Sequence, residues 1–160
     1  MEIQRTIQYK THGGGIQMKK LTRILVPVDA SEGAERAVDF AVSLAEPTGA
    51  VLDILHVSYF DKDTDAEEES WLPEAIAGSV GAMEKEALER ARKHVPPSVT
   101  AEYHRRTGIP ADEILRFAQE EQTGLIVVGC RGLGFMKGLL LGSVSQEIVE
   151  RAEVSVAVAR

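Results

Sequence analysis

The sequence predicts a single α/β domain with a doubly wound parallel sheet and helices on both faces. Two observations carry this prediction. From Leu21 onward, short β-branched runs alternate with longer amphipathic stretches, an order typical of strands joined by crossover helices. The 160 residues suit one core, and 44% hydrophobic with 27% charged residues is ordinary for a globular domain.

Residues 1–20 are predicted to form a flexible extension ahead of a domain at 21–160. Met1 to Met18 is polar, carries three successive glycines and shows no helical or strand periodicity. No apolar run approaches the roughly 20 residues of a membrane helix, and the N-terminus lacks the apolar core of a secretory signal. Cys130 is the only cysteine, so no intrachain disulfide can form. A cytoplasmic protein without a membrane partner is therefore expected.

The first strand and helix show the alternation clearly. Arg23–Val28 is continuously apolar after its first residue, as expected for a strand covered on both faces. Ser31 can cap the following helix, which we expect to end near Pro47 and Gly49. Its apolar positions recur at helical spacing: Ala34, Ala37, Val38, Ala41 and Leu44. A second strand is predicted at 51–57.

An acidic segment between Tyr59 and Ser70 separates the second strand from the next helix. Its six carboxylates repel one another, which predicts a solvated loop, and it lacks the glycine and glutamate spacing of a calcium loop. A helix is then predicted from Glu74 to Lys93, ended by Pro96 and Pro97. The apolar face of this helix is predicted to contain Met83, Ala87, Leu88 and Ala91.

The second half of the chain repeats the pattern. A short strand is predicted at Val99–Tyr103, and a helix starts at Pro110, where proline suits the first turn. The most hydrophobic strand is predicted at Leu125–Val128. A helix is then predicted at Ser143–Arg151, followed by the fifth strand at Val154–Val158. The apolar face of the helix at Pro110 is expected to carry Ile114, Leu115 and Ala118.

A phosphate-binding loop is predicted after the strand that ends at Gly129. Ligands of open parallel sheets bind beyond the carboxyl ends of the strands, and here two strands end in Pro27-Val28-Asp29 and Val128-Gly129. The loop after the second strand reads Gly129-Cys-Arg-Gly132, nine residues, then Gly142-Ser143 at a predicted helix start. Glycines let backbone N–H groups approach phosphate, and a helix N-terminus adds donors and a positive dipole end.

Side chains around this loop can contribute to phosphate binding. Ser143 and Ser145 offer hydroxyl donors, and Arg131 and Lys137 offer positive charge, which matters because the formal charge of −7 gives no general attraction for phosphates or nucleic acid. The alternative is that the glycines serve only turns and that Ser143 with Gln146 forms a capping box. Neither a P-loop nor a Rossmann glycine fingerprint is present.

The spacing Gly129-x2-Gly132-x9-Gly142-Ser143 resembles the nucleotide-binding signature of the ATP-binding branch of the universal stress protein family. Local patterns at Ile24–Asp29, Gly108–Pro110 and Leu139–Val144 are also similar, and the order of elements matches over Leu21–Arg160. The resemblance implies a five-stranded sheet in the order 3-2-1-4-5, with an adenine nucleotide across the carboxyl ends of strands 1 and 4.

The resemblance also implies roles for individual residues. Pro27, Val28 and Asp29 would contact the adenosine and Val57 the adenine. The ribose and phosphates would be received by Gly129, Arg131, Gly132, Gly142, Ser143, Val144 and Ser145. Asp29 would hold Mg²⁺ with the ATP, or would cap the next helix instead. Family members commonly pair through the last strand, which implies a homodimer. The loop also contains six apolar residues, which would pack under the fold, form a lid over the site or extend the dimer interface: Leu133, Phe135, Met136, Leu139, Leu140 and Leu141.

The sequence contains little that points to catalysis. None of His56, His94 and His104 has the acid and serine arrangement of nucleophilic catalysis, and Cys130 after a buried strand suits packing better than redox sensing. The leading hypothesis is an ATP-binding regulatory protein of the stress response, acting through dimer or partner contacts. One alternative is a slow Mg²⁺-dependent ATPase or an autophosphorylating enzyme with Ser143 or Ser145 as acceptor. Another is a binding module for a protein partner, with a different small ligand or none.

Overall fold

Five parallel strands form one sheet in the order β3-β2-β1-β4-β5. The computed structural model describes residues 20–59, 74–130 and 141–160, and the side chains of 74–80 lie outside this description. The elements are β1 Arg23–Pro27, α1 Glu32–Thr48, β2 Val51–Tyr59, α2 Glu74–His94, β3 Ala101–Gly108, α3 Pro110–Glu120, β4 Leu125–Gly129, α4 Ser143–Arg151 and β5 Ser155–Ala159. The fold class and the implied strand order are therefore confirmed.

The sheet separates two hydrophobic cores. On one face, α1 and α2 pack on the strands and bury residues such as Val38, Leu88 and Val127. On the other face, α3 and α4 bury Phe117 and Ile148 against the sheet. Helices therefore cover both faces, which explains why the central strands read as continuous apolar runs.

Helix α1 has the ends that the sequence predicts. The Ser31 hydroxyl accepts a hydrogen bond from the Ala34 N–H at 3.2 Å, and Gly49 ends the helix with φ +68°. The Gly49 N–H donates to the Ala45 carbonyl at 2.8 Å, and Pro47 lies within the last turn. Both signals act within a few residues, so they can be identified without the tertiary structure.

The prediction for β3 is wrong in position and length. The strand runs from Ala101 to Gly108 rather than over Val99–Tyr103, and it pairs with β2 along its whole length, up to Tyr59 opposite Gly108. It lies at the sheet edge, where one side has no neighbouring strand among the described residues. Polar residues are tolerated at an edge, so most of this strand lacks an apolar pattern.

Other boundaries shift by smaller amounts. Strand β2 extends two residues beyond the predicted 51–57, and β5 lies one residue later than Val154–Val158. Met83 is 53% exposed, contrary to the prediction, because described residues 81–86 of α2 include no buried position and contact with the core begins at Ala87. Among the described residues, no helix combines the length and hydropathy needed to cross a bilayer.

Several sequence predictions lie outside the described residues. These are the N-terminal extension except Lys20, the acidic segment after Tyr59, and the part of the glycine loop that contains Arg131, Gly132 and Lys137. The apolar loop residues Leu133, Phe135, Met136, Leu139 and Leu140 also lie outside them.

Candidate functional site

A cavity of about 560 Å³ opens at the carboxyl ends of β1 and β4. Here the chain order reverses, because β1 is flanked by β2 on one side and by β4 on the other. Every predicted site residue within the described part of the chain lines this cavity: Pro27, Val28, Asp29, Val57, Gly129, Gly142, Ser143, Val144 and Ser145. The remaining two, Arg131 and Gly132, lie outside the described residues.

One side of the cavity is apolar. It is lined by Leu55 and Val57 from β2 and by Pro110 and Ile114 from α3, and Leu55 and Ile114 belong to the same buried cluster. Leu55 is fully buried and Ile114 nearly so, which makes this part a rigid hydrophobic floor. Such a surface suits a flat, weakly hydrated group of a ligand.

The other side is the N-terminus of α4, and it differs from the predicted capping box. Gly142 is the N-cap and Ser143 the first helical residue, so Ser143 and Gln146 are one position out of register for the box. The Gln146 N–H donates to the Gly142 carbonyl at 2.9 Å, and its side-chain amide donates to Glu150. No described side chain caps α4, which leaves first-turn N–H groups at the cavity.

The other helices that begin at the cavity do not combine an uncapped N-terminus with a first turn free of acidic residues. Helix α1 is capped by Ser31 and carries Glu32 in its first turn, and α3 carries Asp112 and Glu113 in its first turn. Helix α4 has no acidic residue in its first turn. Since helix N-termini attract negative charge, α4 is the one of these three that an external anion would best satisfy.

Ser145 holds α4 against β4. Its side chain is buried, and its hydroxyl donates to the Gly129 carbonyl at 2.7 Å. The single hydroxyl proton is thus used within the protein, which favours a positioning role over direct donation to a phosphate. Ser143, by contrast, is exposed at the cavity.

Packing of β4 against α1 requires a glycine at position 129, whether or not a ligand binds. A Cβ at this position would lie 2.5 Å from the carbonyl carbon and oxygen of Gly33 and 3.1 Å from the Ala34 nitrogen. These are backbone atoms in the first turn of α1, so they cannot rotate away. The close approach brings the α1 N-terminus to the end of β4, where both help to line the cavity.

The ends of the glycine loop are tied to the sheet. The Gly142 N–H donates to the Cys130 carbonyl at 2.8 Å, and the Cys130 N–H donates to the Ala159 carbonyl at 2.8 Å. The first bond brings the two ends of the loop together. The second continues the pairing of β4 with β5, so the loop base and the C-terminal strand are directly connected.

Asp29 closes the turn between β1 and α1. Its Oδ1 accepts hydrogen bonds from the Ser31 N–H at 3.2 Å and from the Ser31 hydroxyl at 2.5 Å. Between them, Ala30 adopts φ +64°, a conformation that costs a non-glycine residue about 1 kcal/mol or more. The turn-forming role of Asp29 is thus present in the structure, while its role toward a metal ion stays a prediction.

The α3 face of the sheet contains a buried ion-pair network that the sequence pattern did not predict. Asp53 is fully buried and accepts from Arg23 Nε at 2.9 Å and from Arg23 Nη2 at 2.5 Å, and His104 Nε2 lies 2.9 Å from Asp53 Oδ1. The hydrogen bond to Asp53 is the largest cause of a raised pKa for Arg23. An acid inside the apolar run of β2 was the available signal.

This network does not resemble a metal site. Asp53, Glu102 and His104 bring their ligand atoms within 4.8 Å of one another. The Arg23 guanidinium, however, also contacts Glu102 Oε2 at 2.8 Å, so a positive charge already lies between the two carboxylates. None of the four residues lines the cavity, which indicates a structural role.

The other histidines also have partners in the fold. His56 is buried with Nδ1 2.9 Å from the Val28 carbonyl oxygen, and His94 Nδ1 lies 2.8 Å from Asp39 Oδ1. Neither residue lines the cavity. Among the described residues, the cavity lining thus offers backbone donors, serine hydroxyls and the Asp29 carboxylate, and it contains no histidine.

Comparisons with known proteins agree with this architecture. Residues 20–160 match the profile of the universal stress protein family. The chain is 35% identical over 145 residues to universal stress protein YxiE of Bacillus subtilis, covering 86% of this chain and 98% of the relative. The structure of UspA from Lactobacillus plantarum matches with a TM-score of 0.72 and 26% identity, over 89% of this chain and 99% of that one. A universal stress protein in complex with cAMP matches with a TM-score of 0.61 and 27% identity, over 89% and 98% of the two chains.

Proposed function

The chain belongs to the universal stress protein family, and we propose that it binds ATP in the cavity between β1 and β4 as a regulatory protein of the stress response. The observation that carries this proposal is the uncapped N-terminus of α4 beside an apolar floor. The first-turn N–H groups suit the phosphates, and the floor suits the base.

A relative supports the choice of ligand class. One structurally similar universal stress protein has been solved in complex with cAMP, an adenine nucleotide. The cavity of this chain has an apolar side, which suits a base, and backbone donors at α4, which suit a phosphate. In the proposed mode, Val57 contacts the adenine, Pro27, Val28 and Asp29 the adenosine, and the α4 N-terminus the phosphates. The glycine loop would add Gly129, Arg131 and Gly132 around the phosphates.

Regulation would follow from the loop base and the edge strand. Cys130 connects the loop to Ala159 of β5, and β5 is the last strand of the sheet on its side. Most of β5 is only half-buried, as expected for an edge that a second copy covers. We infer a homodimer paired through β5 whose contacts respond to nucleotide, and sedimentation of the chain with and without ATP tests this. A cytoplasmic location also stays a prediction from the single cysteine.

The N-cap position offers a sharp test of nucleotide binding. Gly142 has φ −71°, so other residues fit its backbone without strain. Gly142→Asp supplies a good helix cap but adds negative charge where phosphate is expected, whereas Gly142→Asn supplies a similar cap without charge. We expect G142D to melt no lower than wild type yet to bind ATP at least tenfold more weakly than G142N, measured by calorimetry.

Two results would contradict the proposal. If folded wild-type protein binds neither ATP, ADP, AMP nor cAMP, with or without Mg²⁺, the partner-binding alternative is favoured. If G142D binds ATP as tightly as G142N, the phosphates do not lie at α4.

Hydrolysis is the second candidate, because Asp29 lines the same cavity as the α4 N-terminus and carboxylates are common Mg²⁺ ligands. Under this candidate, Asp29 and Mg²⁺ position the phosphates for slow transfer to water or to Ser143. Radiolabelled ATP separates the outcomes, since released phosphate indicates an ATPase and protein-bound label indicates autophosphorylation. Loss of either signal in Asp29→Asn, with binding retained, would assign the role to the carboxylate.

A further inference from the structure

Tyr59 is an exposed aromatic residue at the mouth of the cavity. It is the last residue of β2 and contributes to the cavity lining, yet the residue is 66% exposed. It is the most exposed of the large hydrophobic residues in the described part of the chain. A large apolar ring that lies open beside a ligand-sized cavity indicates a surface that a ligand covers.

The ring continues the hydrophobic floor outward. Successive side chains of a strand point to opposite faces, so Leu55, Val57 and Tyr59 lie on the same face of β2. Burial falls along this row, from the fully buried Leu55 through the half-buried Val57 to the exposed Tyr59. The row therefore forms one wall from the floor to the mouth.

The neighbouring strand leaves the ring uncovered. In the register of the sheet, Tyr59 lies opposite Gly108 of β3, which has no side chain. A Cβ at Gly108 would lie 2.9 Å from the Glu113 side chain, so larger residues are poorly tolerated there. The Glu113 side chain, rather than a side chain of β3, therefore lies over Gly108.

Charge determines which part of a nucleotide reaches Tyr59. The donors for phosphate are at α4, on the other side of the cavity from β2. The base, rather than the phosphates, is the group that fits beside the ring.

We propose that Tyr59 stacks on the purine base of the bound nucleotide and forms the outer wall of the base site. The inference rests on the proposed function and adds a residue that the sequence pattern did not identify. Stacking of an aromatic side chain on a base tolerates different bases, and its strength grows with ring overlap, so purines are favoured over pyrimidines.

Calorimetry with ATP and with inorganic tripolyphosphate tests the proposal. Tyr59→Ala should weaken ATP binding about 5- to 150-fold, the range measured for loss of one stacking contact, and leave tripolyphosphate binding unchanged. Tyr59→Phe keeps the ring and should bind ATP within about twofold of wild type. Met83→Ala is the matched control, because Met83 is 53% exposed and lies outside the cavity.

Proton NMR of the bound nucleotide provides a second measurement. Ring currents should shift the adenine protons upfield in wild type and Y59F, but not in Y59A. Wild-type ATP affinity in Y59A, or an equal loss for ATP and tripolyphosphate, would overturn the stacking role while leaving nucleotide binding intact. Absence of ATP binding by wild type would overturn both the proposed function and this inference.

Discussion

Replacing Gly129 by alanine separates a packing role of this glycine from a phosphate-binding role. The new Cβ would lie 2.5 Å from the Gly33 carbonyl carbon, whereas ordinary carbon contacts are about 3.5–4.0 Å. The first turn of α1 or the end of β4 must therefore shift by about 1 Å. Because the clashing atoms are backbone, we expect a loss of about 1–3 kcal/mol in the free energy of unfolding, with no nucleotide present.

The shift should also weaken binding. The first turn of α1 contributes Ser31 and Ala34 to the cavity lining, so their displacement changes its shape. Urea unfolding of the nucleotide-free protein gives the stability term, and calorimetry with ATP gives the binding term. Both the free energy of unfolding and the affinity for ATP should fall in Gly129→Ala.

Gly81→Ala is the matched control for this experiment. Gly81 lies inside α2, and a Cβ there meets nothing within 4 Å. Alanine in a helix interior should stabilise by about 0.5–1 kcal/mol, the opposite sign to Gly129→Ala. If G129A unfolds within about 0.5 kcal/mol of wild type but loses ATP binding, the packing argument is refuted and the glycine serves the ligand alone.

Three further predictions concern the described core and surface. Asp53→Asn removes the charge that accepts two hydrogen bonds from Arg23, so the free energy of unfolding in urea should fall by about 1.5–3 kcal/mol. The buried Thr123 hydroxyl has no hydrogen-bond partner among the described residues, and Thr123→Val should stabilise by about 1 kcal/mol; a lower Tm would contradict this. A hydrogen bond from the Arg90 guanidinium holds the pKa of Glu35 below its ordinary value. The stabilisation is therefore complete above the unfolded pKa of about 4.3 and is lost as pH falls through the folded pKa. Wild type and Glu35→Gln should differ in Tm at pH 7 and converge in acid, and a difference that grows in acid would refute the ion pair.

The candidate site was largely predictable because its signals lie close together in the chain. The turn after β1 and the glycine-flanked loop after β4 each follow an apolar run, and the carboxyl ends of parallel strands meet at one edge. Tyr59 was not predictable in this way. An aromatic residue at a strand end is equally compatible with burial, and only the folded sheet shows that Tyr59 lies opposite Gly108 and is exposed among the described residues.

The sequence by itself determined the alternation of strands and helices and the ends of α1, because caps and periodicity act between residues at most four positions apart. Tertiary structure decided the extent of β3, the exposure of Met83, the partner of Asp53 and the packing role of Gly129. Each of these depends on a residue or segment distant in the chain. Local chemistry restricts which element forms, whereas only the packed sheet determines which side chains and backbone atoms it brings into contact.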